Sequence, residues 1–413
     1  MTARYLIATV FDGLASLPDT SVDLVLSSPP FLALRSYLPA DHPTKGREIG
    51  SEATPADFLD TLLDVVEACD RVLAPHGSLV FEIGDTYAGS GGAGGDYGPG
   101  GLREGQETFS QHRPGAMPEE KRWKGQRPGW PLDKSLTGIP TLFAWSLAYG
   151  RNLLRPERTT EPWRIRNVVP WARRNPPVGA LGDKWRPATS YLTIATKARD
   201  RYWDGDATRV PHKSDPADYT GNGYTKGHPE GVPGNESMPG NPAGAPLLDW
   251  WYVDELAEQF ADLFEPGFLQ INTAPYKGAH YACYPPALCV PPIKAMCPER
   301  VCRACGEPSR RIVEGAVWPR RETDPLINDG GKRTHGDRMA QPVTLGWTTC
   351  GHDDYRRGVV LDPFAGSGTT LAVAQGHGRD AIGIDLDRRN AQLARERVGM
   401  FLNVETPETQ VPA

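Results

Sequence analysis

The stretch from 358 to 385 constrains the fold of this chain more than any other. An apolar strand over 358–361 runs into Asp362-Pro363-Phe364-Ala365-Gly366-Ser367-Gly368-Thr369-Thr370, followed by an apolar helix over 371–375 and a second apolar strand over 381–385. Buried strand, glycine turn, helix and buried strand are the parts of a βαβ unit, whose right-handed crossover requires parallel strands with helices packed on them. A further helix is expected over 388–400. Gly366 and Gly368 fall in the turn, where the lack of a Cβ lets backbone N–H groups come close to a ligand. Asp385 ends the next strand about 20 residues on, where a carboxylate can accept both hydroxyl protons of a ribose. No GxxxxGK[ST] lysine is present to hold a triphosphate, so an adenosyl group suits this turn better than ATP.

The remainder alternates in the same way. A strand is expected over 22–26, entered by the turn Leu17-Pro18-Asp19-Thr20 and stopped by Ser27-Ser28-Pro29-Pro30. An amphipathic helix is expected over 58–73, a strand over 78–83, a helix over 139–150, a strand within 194–203 and a proline-rich helix start over 287–295. A chain of 413 residues is ample for one large core with appendages, and its 45 glycines and 40 prolines imply long loop-rich insertions. The glycine-dominated 88–101 and the polar 204–246 have little to bury and read as loops.

No run of 18 apolar residues occurs, and the N-terminus lacks the small-residue cleavage site of a signal peptide, so a cytoplasmic protein with reduced thiols is expected. Cys302-x2-Cys305, with Cys350-x-His352 after a 44-residue loop, has the sulfur and nitrogen donors of a tetrahedral structural zinc. Cys297, five residues upstream, could replace His352 as the fourth ligand. The net charge of −6 hides an asymmetry: between 121 and 201 there are 17 Lys or Arg against 5 Asp or Glu, interleaved with six tryptophans. Guanidinium groups on phosphates and aromatics on bases suit such a stretch to a nucleic-acid surface.

Ser28-Pro29-Pro30-Phe31 follows a strand, where open α/β sheets place reactive groups, and its prolines offer carbonyls but no N–H. An exocyclic amine on a base is a poor nucleophile because its lone pair is delocalised, and acceptors such as Ser28 Oγ and the Pro29 carbonyl favour the localised pair that attacks a methyl group in line. Phe31 offers a face on which an extruded base can stack.

Together, DPFAGSGTT with GRDAIGIDLD and the SSPPF run resemble the motifs of site-specific DNA amino-methyltransferases. With the SPPF motif ahead of the cofactor motif, the order resembles their permuted beta class. The resemblance implies a Rossmann-like, S-adenosylmethionine-dependent methyltransferase sheet with helices on both faces. It places Asp362, Pro363, Phe364, Ala365, Gly366, Ser367, Gly368, Thr369 and Thr370 around the methionine part of the cofactor, with Asp385 on the ribose. Ser28, Pro29, Pro30 and Phe31 become the catalytic run. Leu17 to Asp23 is similar to the family's LPDxSVD lead-in, Gly84-Asp85 to its strand-end GD, 275–285 to a cofactor-side motif that includes His280, and Trp171-Ala172-Arg173-Arg174-Asn175-Pro176 to an element near the target base. The Gly-Asp usual near Ala8-Thr9 is missing, although Asp12 stands close by.

The expected division is therefore 1–203 as the catalytic half with its basic DNA-facing stretch, 204–266 as an insertion suited to target recognition and 267–296 as a cofactor-side segment. A zinc-ribbon-like insertion over 297–357 then stands beside the cofactor loop, and 358–413 forms the cofactor-binding βαβ unit. Serine at the first motif position favours N4 of cytosine over N6 of adenine. DNA is the expected partner, with a cognate restriction nuclease as a second. An RNA or small-molecule methyltransferase, or a non-catalytic DNA-binding protein, are the rival readings.

Overall fold

The structure is a computed structural model that describes residues 1–33, 44–89, 127–173, 184–210, 244–252, 255–256, 258, 284–313 and 344–406. Most of the 204–266 insertion, the 88–101 loop beyond Gly89, and the 275–285 motif as far as residue 283, with His280, lie outside the described residues.

From the N-terminus the elements are β1 (Ala3–Ile7), α1 (Val10–Ala15), β2 (Val22–Ser27), α2 (Pro55–Val72), β3 (Leu73–Ile83), α3 (Ile139–Tyr149), β4 (Arg164–Ala172), β5 (Thr189–Thr196) and β6 (Trp251–Tyr252). Next come α4 (Val290–Met296) and four short strands, β7 (Val301–Cys302), β8 (Arg311–Val313), β9 (Thr344–Trp347) and β10 (Tyr355–Arg356). The C-terminal part holds β11 (Val359–Asp362), α5 (Thr369–Gly376), β12 (Asp380–Asp385), α6 (Arg388–Val398) and β13 (Leu402–Glu405).

Among the described residues nine strands form one sheet in the order β13-β1-β12-β11-β2-β3-β5-β4-β6. All neighbours are parallel except at β5, which runs antiparallel to both β3 and β4. The centre is the pair β11 and β2, with Val360 opposite Leu24 and Leu361 opposite Val25. From β11 the chain winds outward through β12, and from β2 it winds the other way through β3. Such a switch point leaves a crevice at the carboxyl ends of the two central strands.

Helices cover both faces. Leu6, Val25, Phe81 and Leu361 share one core with residues of α1, α2 and α3, while Leu24, Val80 and Val360 share the other with residues of α4, α5 and α6. Helix α2 shows why these residues choose helix. Thr54 Oγ1 caps it by accepting from the Asp57 N–H, Pro55 begins it, and Phe58, Leu59, Leu62, Leu63, Val66 and Cys69 recur on one buried stripe. Burial of each large apolar side chain there contributes about 1.5–3 kcal/mol before entropy is counted.

The sheet departs from the expectation at its edges. Strands β1, β4 and β13 carry arginine or asparagine among short apolar runs and gave no clear alternation in sequence. The strand expected within 194–203 begins earlier, at Thr189, because the β-prone Thr-Ser-Tyr-Leu-Thr-Ile-Ala-Thr pairs with β3 and the charged 197–201 ends it.

Candidate active site

The two motifs singled out from the sequence meet at the switch point. Asp362, the last residue of β11, is 1% exposed, and its carboxylate accepts from Ser27 Oγ at the end of β2. It also accepts from Thr370 Oγ1 at 2.5 Å, Tyr284 OH at 3.1 Å and the Phe364 N–H at 3.1 Å. Burial pushes this carboxyl above its ordinary value, against the pull of those donors. Asp362 is thus the bolt between the two central strands. Its oxygens face protein donors.

Beyond it the chain turns through Gly366 and Gly368, with φ of +50° and +77°, a left-handed backbone that favours glycine. A Cβ on Gly368 would lie 3.0 Å from the Ala394 Cβ of α6, and one on Gly383 would lie 2.7 Å from that of Ala365. These glycines let the turn lie flat on its neighbours. Tyr5 OH donates to the Gly366 carbonyl at 2.7 Å, while the Gly366 N–H donates to Asp385 Oδ2 at 2.8 Å. Asp385 Oδ1 accepts from the Asp387 N–H at 2.8 Å and from Asn390 Nδ2 at 3.0 Å. Pro363, Ala365, Ser367, Thr369 and Thr370 are buried, whereas Phe364, Gly366 and Asp385 are half-buried. A part-exposed carboxylate, an aromatic ring and a glycine turn at adjacent strand ends fit an adenosyl group.

On the β2 side, Pro29 is buried and Ser28, Pro30 and Phe31 are half-buried. Ser28 Oγ donates to Glu82 Oε2 at 2.6 Å, and Glu82 Oε1 accepts from Trp171 Nε1 at 3.1 Å. Glu82 is 4% exposed. The Phe31 ring lies against Gly84, where an added Cβ would stand 2.5 Å from it. The glycine of the Gly84-Asp85 pair therefore makes room for the aromatic ring. Asp85 accepts from the Thr86 N–H, Thr137 Oγ1 and the Gly138 N–H, so its carboxylate fastens the start of α3. Asp12 is likewise engaged, with Thr9 Oγ1 at 2.6 Å and Arg47 at 2.9 Å.

Sequence reading missed Glu82 and Tyr5, whereas Tyr284 falls within the 275–285 motif. A signal existed for Glu82, an ionisable residue inside the apolar run Leu79-Val80-Phe81-Glu82-Ile83.

Part of the basic stretch is consumed inside the fold. Arg155 pairs with Asp57 and Asp60, Arg158 with Asp64 and Glu67, and Lys197 with Asp70, all on α2. Arg173 lies over the Trp171 ring at 4.8 Å and donates to Ser190 Oγ. Arg174 and Asn175 lie outside the described residues.

The donor atoms of Cys302, Cys305, Cys350 and His352 all lie within 4.8 Å of one another. His352 Nδ1 is 3.6 Å from Cys302 Sγ and 3.4 Å from Cys350 Sγ. Four ligands about a tetrahedral zinc with Zn–S near 2.3 Å would stand about 3.8 Å apart, so the set fits this metal. Hydrogen bonds from the His352 backbone and ring pull the Cys350 thiol down to about 6, which favours the thiolate a metal needs. Cys297 stands elsewhere: it is buried, its sulfur packs 2.8 Å from where a Gly358 Cβ would be, and its carbonyl accepts from Arg379. The open choice between Cys297 and His352 thus falls to His352.

The cluster stands beside the cofactor loop in sequence but not in space. Cys302 is opposite Tyr355 in the β7–β10 pair, and β10 precedes the amino end of β11. Arg356 of β10 pairs with Asp23, near the start of β2. Five residues of strand at about 3.3 Å each separate Asp23 from Ser28, roughly 16 Å.

The model of the N6/N4 methyltransferase family, described as DNA methylase, matches residues 22–303 and 350–396, and the chain belongs to this family. It is similar to the type II methyltransferase M.SmaI of Serratia marcescens, 23% identical over 397 residues that cover 96% of this chain and 91% of that protein. It is also similar to the type II methyltransferase M.XycI of Xanthomonas campestris pv. cyanopsidis, 25% identical over 402 residues, 95% of this chain and 87% of that one. Among solved structures, the cytosine-N4-specific PvuII DNA methyltransferase aligns over 96% of this chain and 86% of its own, with 12% identity and a TM-score of 0.47. The protein is a DNA methyltransferase of the amino-methylating kind.

Proposed function

We propose that this enzyme methylates N4 of a cytosine flipped out of duplex DNA, with S-adenosylmethionine as methyl donor. The observation that carries the reading is the bond between Ser27 and Asp362, which brings the ends of β2 and β11, and so the SPPF and glycine motifs, to one crevice. The donor supplies an electrophilic methyl group on sulfur. Phe364, the Gly366–Gly368 turn and Asp385 would hold it, Asp385 on the ribose. Ser28 Oγ and the Pro29 carbonyl accept the hydrogens of the exocyclic amine and so localise its lone pair, and Phe31 stacks on the extruded base. A serine at position 28 favours N4 of cytosine, while both cytosine and adenine present an NH2 group to the same acceptors. A cytoplasmic setting and a nuclease reading the same DNA sequence suit the type II names of its relatives.

Expression in a host free of DNA methylation, followed by base mapping, tests this directly. N4-methylcytosine in one sequence context is expected; N6-methyladenine instead would reassign the target and keep the site.

The cysteine cluster is proposed to hold a structural zinc. Elemental analysis is expected to find about one zinc per chain, lost in Cys302→Ser and retained in Cys297→Ser. Retention of zinc by the first variant would refute the ligand set.

A further inference from the structure

Two arginines stand together at the end of the sheet away from the crevice, where β4 begins and β5 ends. Arg164 is opposite Thr196 there, while Tyr191 is opposite Ile83 at the crevice end of β3, five residues of strand or roughly 16 Å away. Ile165 is opposite Ala195 and Asn167 is opposite Ile194, so Arg166 is the extra residue of a β-bulge, a device that re-aims a side chain. It stands close enough to Arg201, which follows β5, for the two charges to repel. The Arg201 guanidinium lies over the Trp203 ring, 4.4 Å from its centroid, and its Nη1 is buried with no hydrogen-bond partner. Burial and the charge of Arg166 together pull it down to about 10. Neighbouring Arg155, Arg158 and Lys197 each have an acid of α2. Among the described residues no carboxylate pairs with Arg164, Arg166, Arg199 or Arg201, although Asp200 stands between the last two in sequence. A buried charged donor left unmatched beside a like charge costs free energy that an anion between the two would return. Guanidinium forks match the oxygens of a phosphate two at a time.

We propose that Arg166 and Arg201 hold a backbone phosphate of the DNA flanking the target base, at a site outside the crevice. This rests on the reading that the target base enters the crevice at the carboxyl ends of β2 and β11. The route between the two places is the outer side of β4. Among the described residues that side is paired only at Trp171 and Ala172, with β6, which leaves 164–170 without an outer neighbour. Arg173 stands just past the crevice end of this edge and Arg164 at its other end. Duplex DNA rises about 3.4 Å per base pair, so roughly 16 Å of strand corresponds to about five base pairs of flank. A contact there carries no sequence information; it adds affinity and sets the direction in which the DNA leaves the crevice. A free phosphorylated compound offers the same chemistry to the two forks, and the experiment separates the two sources.

The test uses two duplexes carrying the mapped methylation site, one with about three base pairs on each side and one with about twelve, chosen to stop short of the arginines or to pass them. Arg166→Gln, Arg201→Gln and the double variant are compared with the wild type and with Arg395→Gln, a control at an exposed arginine of α6. On the long duplex each site variant should raise KM about tenfold with kcat unchanged, and lower the slope of log affinity against log salt by about 0.9. The double variant should lose little more than either single one, because both forks serve one phosphate. On the short duplex all proteins should agree within about twofold. Unchanged KM and salt slope on the long duplex would overturn the proposal, as would equal losses on both duplexes. Arg166 is exposed, so its variant keeps the test open whatever Arg201→Gln does to folding. If inorganic phosphate raises the unfolding midpoint of the wild type but not of Arg201→Gln, while flank length has no effect on KM, the site takes a free phosphate compound and the DNA assignment fails. Failure of the crevice reading would show separately, as full activity of Ser28→Ala on both duplexes.

Discussion

Ser28→Ala is expected to lower the rate of methyl transfer by about 10²–10³-fold or more, the scale on which loss of one preorganised hydrogen-bonding group at a reacting centre is felt. Purified variant and wild type would be compared in single turnover with labelled donor and a duplex carrying the recognised site. Retention of donor and DNA affinity should accompany the loss, because Ser28 lies on the β2 side of the crevice while Phe364, Gly366 and Asp385 lie on the other. The fold should also survive, since Ser28 is half-buried and the strand-to-strand bond to Asp362 is made by Ser27. A variant with rate loss under about threefold would mean that the amine is held by other groups and that the SPPF run is only a strand-ending turn.

Much of this centre was legible in the sequence because its motifs are local. A glycine turn needs left-handed backbone at named positions, and Gly366 and Gly368 have it. An SPP run that ends a strand shows itself as a strand stop wherever the strand lies in the sheet. Two kinds of information were not local. The neighbour relation of β2 and β11, more than 300 residues apart, was expected only through the likeness to a permuted family, and the register that joins Ser27 to Asp362 was not expected at all. Outer strands such as β4 owe their state to pairing with β5 rather than to their own alternation. Charge counting is incomplete for a similar reason: a run of arginines in sequence says nothing of the acids on α2 that neutralise Arg155 and Arg158.

The sheet also separates its tasks by end. Crevice and motifs stand at the carboxyl ends of β2 and β11, whereas the cysteine cluster stands at their amino ends. A metal there cannot touch the reacting atoms. A link from the cluster to the strands between runs through the Arg356–Asp23 ion pair.

Asp23→Asn is expected to destabilise the protein by about 3–5 kcal/mol, the usual cost of leaving one partner of a buried ion pair unmatched. Asp23 has no exposed side-chain surface. It accepts from Arg356 Nη1 at 2.5 Å and Nη2 at 3.0 Å and from the Val359 N–H at 2.7 Å, with His76 Nε2 at 2.9 Å. One carboxylate on β2 thereby holds β3, β10 and the start of β11. An asparagine would present an NH2 where three donors already converge. Burial pushes the Asp23 carboxyl up, yet His76 and Arg356 outweigh it and hold it below its ordinary value. A carboxyl lowered in the folded state stabilises fully above its unfolded pKa of about 3.9, and that contribution is lost as pH falls through the folded value. Denaturant unfolding of wild type and variant should therefore differ most near neutrality, and the gap should close in acid as the wild type loses its advantage. For a protein of ordinary stability, about 5–15 kcal/mol, such a loss is large. A difference below about 1 kcal/mol at pH 7, or one that does not shrink in acid, would show that the cysteine module is not fastened to the catalytic sheet through this carboxylate.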